Sequence, residues 1–248
     1  MEFMQIKKNR TALKRETIKY IVIHDTANPD VGADASMHYR YFNTVDRGAS
    51  ADFFVDSTQT IQVNDYNKYY TWHCGDGKGK YGITNKNSIG IEMCINADGD
   101  YNTMLRSTID LVKDLKAILD VPIDNIVRHY DASRKTCPGS MSWDGWKAWF
   151  EFKKALEPPV YPTVKKGDNN EYVTALQQKL TNLFYYTGSI DGVFGPVTHN
   201  AVYAYQLDHK LQPDGICGKL TWTSIFDEID RLKREIARMT KEIRRTHA

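Results

Sequence analysis

The sequence predicts an α/β protein: a mixed central sheet flanked by helices, then a small helical second domain and a C-terminal amphipathic helix. Three observations support this reading. Short β-branched runs alternate with helix-patterned stretches over the first 156 residues, the rhythm of an α/β layer. Three prolines in "EPPVYP", Glu157 to Pro162, then interrupt the chain with a stiff extended segment. Beyond it the turn D-G-x-x-G-x-x-T occurs twice, at Asp191 and at Asp214, before a heptad pattern takes over.

In chain order, "IKYIVIHDTA" (Ile18 to Ala27) is a buried strand with His24 near its C-terminal end. "ADASMHYRYF" has helical character. "DFFVDSTQTIQV" reads as two strands around an Asp-Ser-Thr turn, and Ser88 to Asn96 as a further strand closed by the turn "ADGD". Between Thr103 and Asp120, Met104, Leu111, Val112, Leu115, Ile118 and Leu119 form one core-facing helical stripe. "NIVRHYD" is a strand entering the loop "RHYDASRKTCPG". "WDGWKAWFEFKKAL" is an aromatic-rich helix that ends the first domain at Leu156. Residues 157–163 are then a linker, 164–226 the second domain and 227–248 the C-terminal helix.

In each repeat Asp-Gly makes a tight turn, and the second glycine suits positive φ or a close approach. Pro196 suits the first turn of the helix that follows the first repeat. Ile229, Leu232, Ile236, Met239 and Ile243 alternate at spacings of three and four, and Arg231 to Ala248 holds seven Lys/Arg against two Glu. A coiled-coil seam for self-association, a helix docked on the second domain and a basic helix for anionic surfaces all fit this pattern. Alone, so short a seam would be marginal.

Composition excludes several classes. Apolar residues at 41% and charged residues at 26% suit a soluble globular chain. The net charge of +2 is too small for a nucleic-acid polycation. No apolar run approaches the roughly 20 residues needed to span a bilayer. The basic N-terminal stretch is followed by no apolar core, so no signal peptide is expected, and the reducing cytosol is the expected place of synthesis. Cys74, Cys94, Cys137 and Cys217 form no CxxC pair, and no disulfide framework is expected. Cys74, Cys94 and Cys217 read as small core residues.

His129, Lys135 and Cys137 share one loop, and His24 ends another strand. Neutral imidazole and thiolate are zinc donors, and a catalytic zinc keeps three protein ligands with a fourth position open. On spacing alone the set matches no dense metal signature. A core cysteine and two hydrogen-bonded histidines fit it as well.

The segments "YIVIHDTAN", "WHCGDG", "NSIGIEMCIN" and "VRHYDASRKTCPG", in this order, resemble the zinc-dependent N-acetylmuramoyl-L-alanine amidases of the type-2 family. That family is common among phage endolysins and bacterial autolysins and is related to peptidoglycan recognition proteins. The resemblance covers roughly Ile18 to Leu156. "VKKGDNNEYVTALQQKL", with the two repeat turns and Thr221-Trp222, resembles a type-1 peptidoglycan-binding domain. The resemblance implies Zn²⁺ held by His24, His129 and Cys137, with Lys135 facing the reacting carbonyl and Glu92 as base. It implies hydrolysis of the amide between N-acetylmuramic acid and L-alanine by an endolysin or prophage-derived autolysin, made in the cytoplasm and acting at the wall. His73 is expected to line the substrate groove or to make a structural hydrogen bond. In many relatives a tyrosine or histidine occupies the "SADFF" stretch, where this chain has Ala51 and Asp52; Asp52 is expected to bind a basic group of the stem peptide or to tune the pocket's charge. His38 is expected to play no chemical part. The alternative is a non-catalytic peptidoglycan-binding protein, whose usual mark is loss of the cysteine ligand; Cys137 is present.

Overall fold

The computed structural model describes residues 1–11, 16–157 and 160–246. The chain forms two compact units, Met1–Glu157 and Pro158–Ala248.

Among the described residues six strands make the sheet of the first unit: β1 (Glu2–Phe3), β2 (Tyr20–Asp25), β3 (Phe53–Val55), β4 (Thr60–Gln62), β5 (Ser88–Met93) and β6 (Ile126–Arg128). Their order is β1-β4-β3-β5-β2-β6. Only β3 and β4 run antiparallel, as the short turn between them requires; the other neighbours are parallel. Asp56 fixes that turn by accepting from the backbone N–H groups of Thr58 and Gln59, and it reaches the N–H of Ala35 as well.

Side chains alternate across the sheet. Ile21, Ile23, Ile89, Ile91 and Met93 belong to one core, which α2 (Tyr101–Leu119) and α4 (Trp143–Ala155) cover with Met104, Val112, Leu115, Trp149 and Phe152. Asp100 caps α2 by accepting the Thr103 N–H. The aromatic segment is less regular than its pattern predicts. Asp144, Gly145 and Trp146 take positive φ, so a left-handed turn precedes the regular part of α4. On the opposite face α1 (Ala35–Thr44), capped by Asp34, packs Ala35 against Phe54 and Ile61. The alternate positions His24 on β2 and Ser88, Gly90 and Glu92 on β5 share this second face. The C-terminal ends of parallel strands are where ligands collect in open α/β sheets.

The second unit holds α5 (Glu171–Asn182), α6 (Pro196–Asp208) and α7 (Lys219–Thr246). Each repeat turn closes on a buried glutamine. Gln177 accepts from the N–H groups of Asp191 and Gly192, and its amide donates to Asp191, Val193 and Thr198. Gln206 treats Asp214, Gly215, Ile216 and Thr221 in the same way. Tyr161 stacks on Trp222 at 4.3 Å, and the Trp222 indole donates to the Pro162 carbonyl. The later residues of the expected linker are therefore built into the second unit; Pro158 and Pro159 lie outside the described residues. No break separates residues 226 and 227, since α7 runs through both. Ile229 and Leu232 pack on the core of this unit, whereas Ile236, Met239 and Ile243 are exposed. Among the described residues no helix is long and apolar enough to cross a membrane.

Candidate active site

Three backbone devices bring the chemistry together. His24 and Glu92 are register partners on the adjacent strands β2 and β5. Cys137 lies on the loop after the short helix α3 (His129–Ser133), and the Asp25 carboxylate next to His24 holds that loop by accepting the Ser140 N–H at 2.6 Å. The Tyr130 N–H donates to the Cys137 carbonyl at 3.0 Å. His129 opens α3 rather than ending a strand, because β6 stops at Arg128, whose N–H and guanidinium are both taken by Asp131.

The ligand atoms of His24, His129 and Cys137 lie within 4.8 Å of one another, and all three residues are buried. His24 Nδ1 is 3.7 Å from Cys137 Sγ. His129 donates its Nε2–H to Asp76 Oδ1 at 2.7 Å, while its Nδ1 is buried and has no partner among the described residues. Asp76 reaches it from the 3-10 turn Gly75–Gly77. A Cβ on Gly77 would stand 2.0 Å from the Ala132 carbonyl oxygen, so only glycine lets this turn lie against α3.

Burial holds His24 well below the usual histidine range, and any positive charge on His73, His129 or Lys135 would act in the same direction. Burial likewise lowers His129, against the pull of Asp76. Burial and then the charge of Glu92 push the Cys137 thiol up to about 12. Two neutral imidazoles and a thiol that a nearby cation would ionise form a donor set for a divalent metal. The orphaned Nδ1 of His129 is the clearest sign of fit. A metal-bound histidine characteristically gives its other nitrogen to a carboxylate, as His129 does to Asp76.

Glu92 Oε1 is 4.0 Å from His24 Nδ1, and Oε2 is buried without a partner among the described residues. Burial, then the charge of Asp25, raises this carboxyl to about 8, with Lys135 opposing. Lys135 is exposed and lines, with Glu92 and Cys137, a cavity of about 190 Å³. The structure thus brings together His24, His129, Cys137, Glu92 and Lys135.

It does not bring Asp52 or His73 to a substrate-facing surface. Asp52 is fully buried, accepting from Asn64 Nδ2 at 2.7 Å, Thr71 Oγ1 at 3.0 Å and the Gly90 N–H at 2.9 Å. So enclosed a carboxylate ties strands together and meets no stem peptide. His73 lies behind His24, with Nδ1 at 3.1 Å from His24 Nε2 and Nε2 at 3.2 Å from Ser88 Oγ. Its structural hydrogen bonds, the other of the two expectations, are what the fold uses.

Asp76 and Thr26 escaped the sequence reading, and His38 was expected to play no chemical part. Asp76 sits in the WHCGDG segment that carries the family resemblance, but no role was read for it there. His38 stacks on Phe54 at 5.3 Å, but its Nε2 is buried without a partner among the described residues. With Thr26, whose hydroxyl is likewise unpartnered, it lines both the small cavity and a neighbouring one of about 550 Å³ walled by Asn28, Met37 and Tyr41. Two idle polar atoms beside a reactive cluster mark where a ligand would hydrogen-bond.

Comparison with known proteins agrees with this geometry. The N-acetylmuramoyl-L-alanine amidase family profile matches residues 14–140, and a peptidoglycan binding domain profile matches residues 169–225. The chain is 33% identical over 217 residues to the N-acetylmuramoyl-L-alanine amidase CwlH of Bacillus subtilis (strain 168), covering 77% of this chain and 83% of CwlH. It is 30% identical over 271 residues to the amidase XlyA of the same organism, covering 83% and 90%. The structure of the catalytic domain of XlyA superposes with a TM-score of 0.56 at 36% identity, covering 63% of this chain and 100% of that domain. With its reactive cluster on the matched segment and its sequence running along most of two such enzymes, the chain belongs to the N-acetylmuramoyl-L-alanine amidase family, hydrolases whose substrate is peptidoglycan.

Proposed function

We propose that this amidase works with a zinc ion held by His24 Nδ1, His129 Nδ1 and Cys137 Sγ, with Glu92 and Lys135 as its catalytic side chains. The observation that carries the proposal is the convergence of these three donor atoms around the unpartnered Nδ1 of His129. Bound there, zinc supplies Lewis acidity, bringing the pKa of water from 15.7 to about 7 and polarising a carbonyl. Glu92 takes the proton of the attacking water and delivers it to the departing L-alanine nitrogen as the C–N bond breaks and the C–O bond forms. General acid–base work of this kind is worth roughly 10²–10⁴-fold. The Lys135 ammonium faces the negative charge that builds on the carbonyl oxygen. Thr26 and His38 hold a flank of the substrate in the larger cavity.

The second unit retains the enzyme on the wall. The whole chain acts as an endolysin or prophage-derived autolysin, consistent with a structural neighbour described as a mutant endolysin from Bacillus subtilis, at TM-score 0.55 and 36% identity. We further propose that the exposed stripe Ile236, Met239 and Ile243 pairs copies of the chain. Mass spectrometry of digested walls, with and without a chelator, tests the chemistry. Stem peptides beginning at L-alanine should appear only in the metal-replete digest. Equal release in the chelated digest would sink the zinc assignment.

A further inference from the structure

The WHCGDG segment and β5 meet behind His24, on the side away from the cluster. Ser88, Gly90 and Glu92 stand on one face of β5, two residues apart, and each has a separate task. Glu92 reaches the reactive cluster. Gly90 makes room, since a Cβ there would lie 2.6 Å from His73 Cγ. Ser88 receives the far nitrogen of His73.

The direction of each hydrogen bond can be followed from Ser88 inward. A serine hydroxyl has one proton. That of Ser88 goes to the Thr84 carbonyl at 2.5 Å, a far better acceptor than the Cys74 sulfur at 3.6 Å. Toward His73 the hydroxyl is therefore an acceptor, and His73 Nε2 carries the hydrogen. A neutral His73 then has a bare Nδ1, which accepts from His24 Nε2 at 3.1 Å. With its hydrogen on Nε2, neutral His24 has a bare Nδ1, and this is the nitrogen that faces Cys137 Sγ and Glu92.

We propose that the relay Thr84–Ser88–His73, given room by Gly90, is a positioning device that fixes His24 in the one neutral tautomer able to bind a metal through Nδ1. His73 touches neither substrate nor metal; it acts through His24. The inference rests on the metal site proposed above, but the tautomer exists before any metal arrives.

Long-range ¹H–¹⁵N NMR of the metal-free full-length protein reads that tautomer directly. His24 should appear protonated on Nε2 and bare on Nδ1. Protonation on Nδ1 would overturn the proposal. Competition with a chromophoric chelator then gives the zinc dissociation constant. His73→Phe, which cannot accept, should weaken zinc by roughly 10–100-fold, the usual cost of losing an outer-sphere partner. His73→Asn, whose carbonyl can stand where Nδ1 stood, should recover most of the affinity. A purely space-filling role predicts the opposite ranking, because phenylalanine matches the ring and asparagine does not. If wild type binds no zinc, the metal site itself fails. If wild type and His73→Phe bind equally, only the relay fails. Should His73→Phe not fold, the wild-type tautomer decides alone.

Discussion

Glu92 answers to two opposed demands. In the proposed role of base it must be charged near neutral pH, yet burial and Asp25 raise its carboxyl to about 8. In the metal-free protein the consequence is that this group's contribution to stability falls with pH. Below about 4.5 the carboxyl is protonated in both folded and unfolded chains and contributes no pH dependence. Between there and about 8 the unfolded chain gives up its proton while the fold keeps it. Stability then drops by up to ~1.4 kcal/mol per pH unit from this group alone. Glu92→Gln should flatten that slope in urea denaturation of the chelated protein between pH 5 and 8, and should lose roughly 10²–10⁴-fold in turnover when zinc is restored. An unchanged slope would mean that Glu92 is not the group responsible. His24, His129, Cys137, Glu92 and Lys135 were legible in the sequence because their residue types are reactive and their segments resemble a family. Asp52 was misplaced, and His73 was left between two readings, for one physical reason: a sequence shows a polar side chain but not what surrounds it. Asp76 hid for the same reason, within the WHCGDG segment.

At the scale of elements, alternation and capping made most of the first unit readable. The strands β2 and β5 and the β3–β4 pair fall within segments whose patterns predict them, and the helices α1 and α2 each overrun theirs by two residues. The second unit was less transparent. Its D-G-x-x-G-x-x-T turns are visible, but the glutamines that close them are not, since Gln177 precedes Asp191 by 14 residues and Gln206 precedes Asp214 by 8. The fold supplies an equivalence that the spacing conceals. Helix α7 resolves the three readings of the heptads only in part. Its first turns dock through Ile229 and Leu232, with Glu228, Arg231 and Glu235 paired along the surface. Its later apolar positions face solvent, and Ile236 is 63% exposed. Ending the chain after Lys233 should therefore leave the second unit folded and reduce the solution mass to that of a monomer. Sedimentation velocity at several concentrations decides; a monomer before and after truncation would end the pairing proposal.

For the whole molecule, two units with separate cores divide cutting from holding. A tethered wall-binding unit raises the local concentration of the catalytic one without adding a contact at the scissile bond. Residues 1–157 alone should match the full chain on small soluble muropeptides and fall behind it on intact walls. Equal rates on walls, read from turbidity, would show that the second unit adds no retention. One strand, meanwhile, limits how such a molecule can change. On β5, Ser88, Gly90 and Glu92 face the side of the candidate site, and Ile89, Ile91 and Met93 belong to the core. Gaining or losing one residue there would exchange the two sets at a stroke. Divergence in a lineage keeping this chemistry is therefore channelled away from the strand. Segments such as residues 26–33, which border the larger cavity, lie outside the strand and can change length without shifting its register.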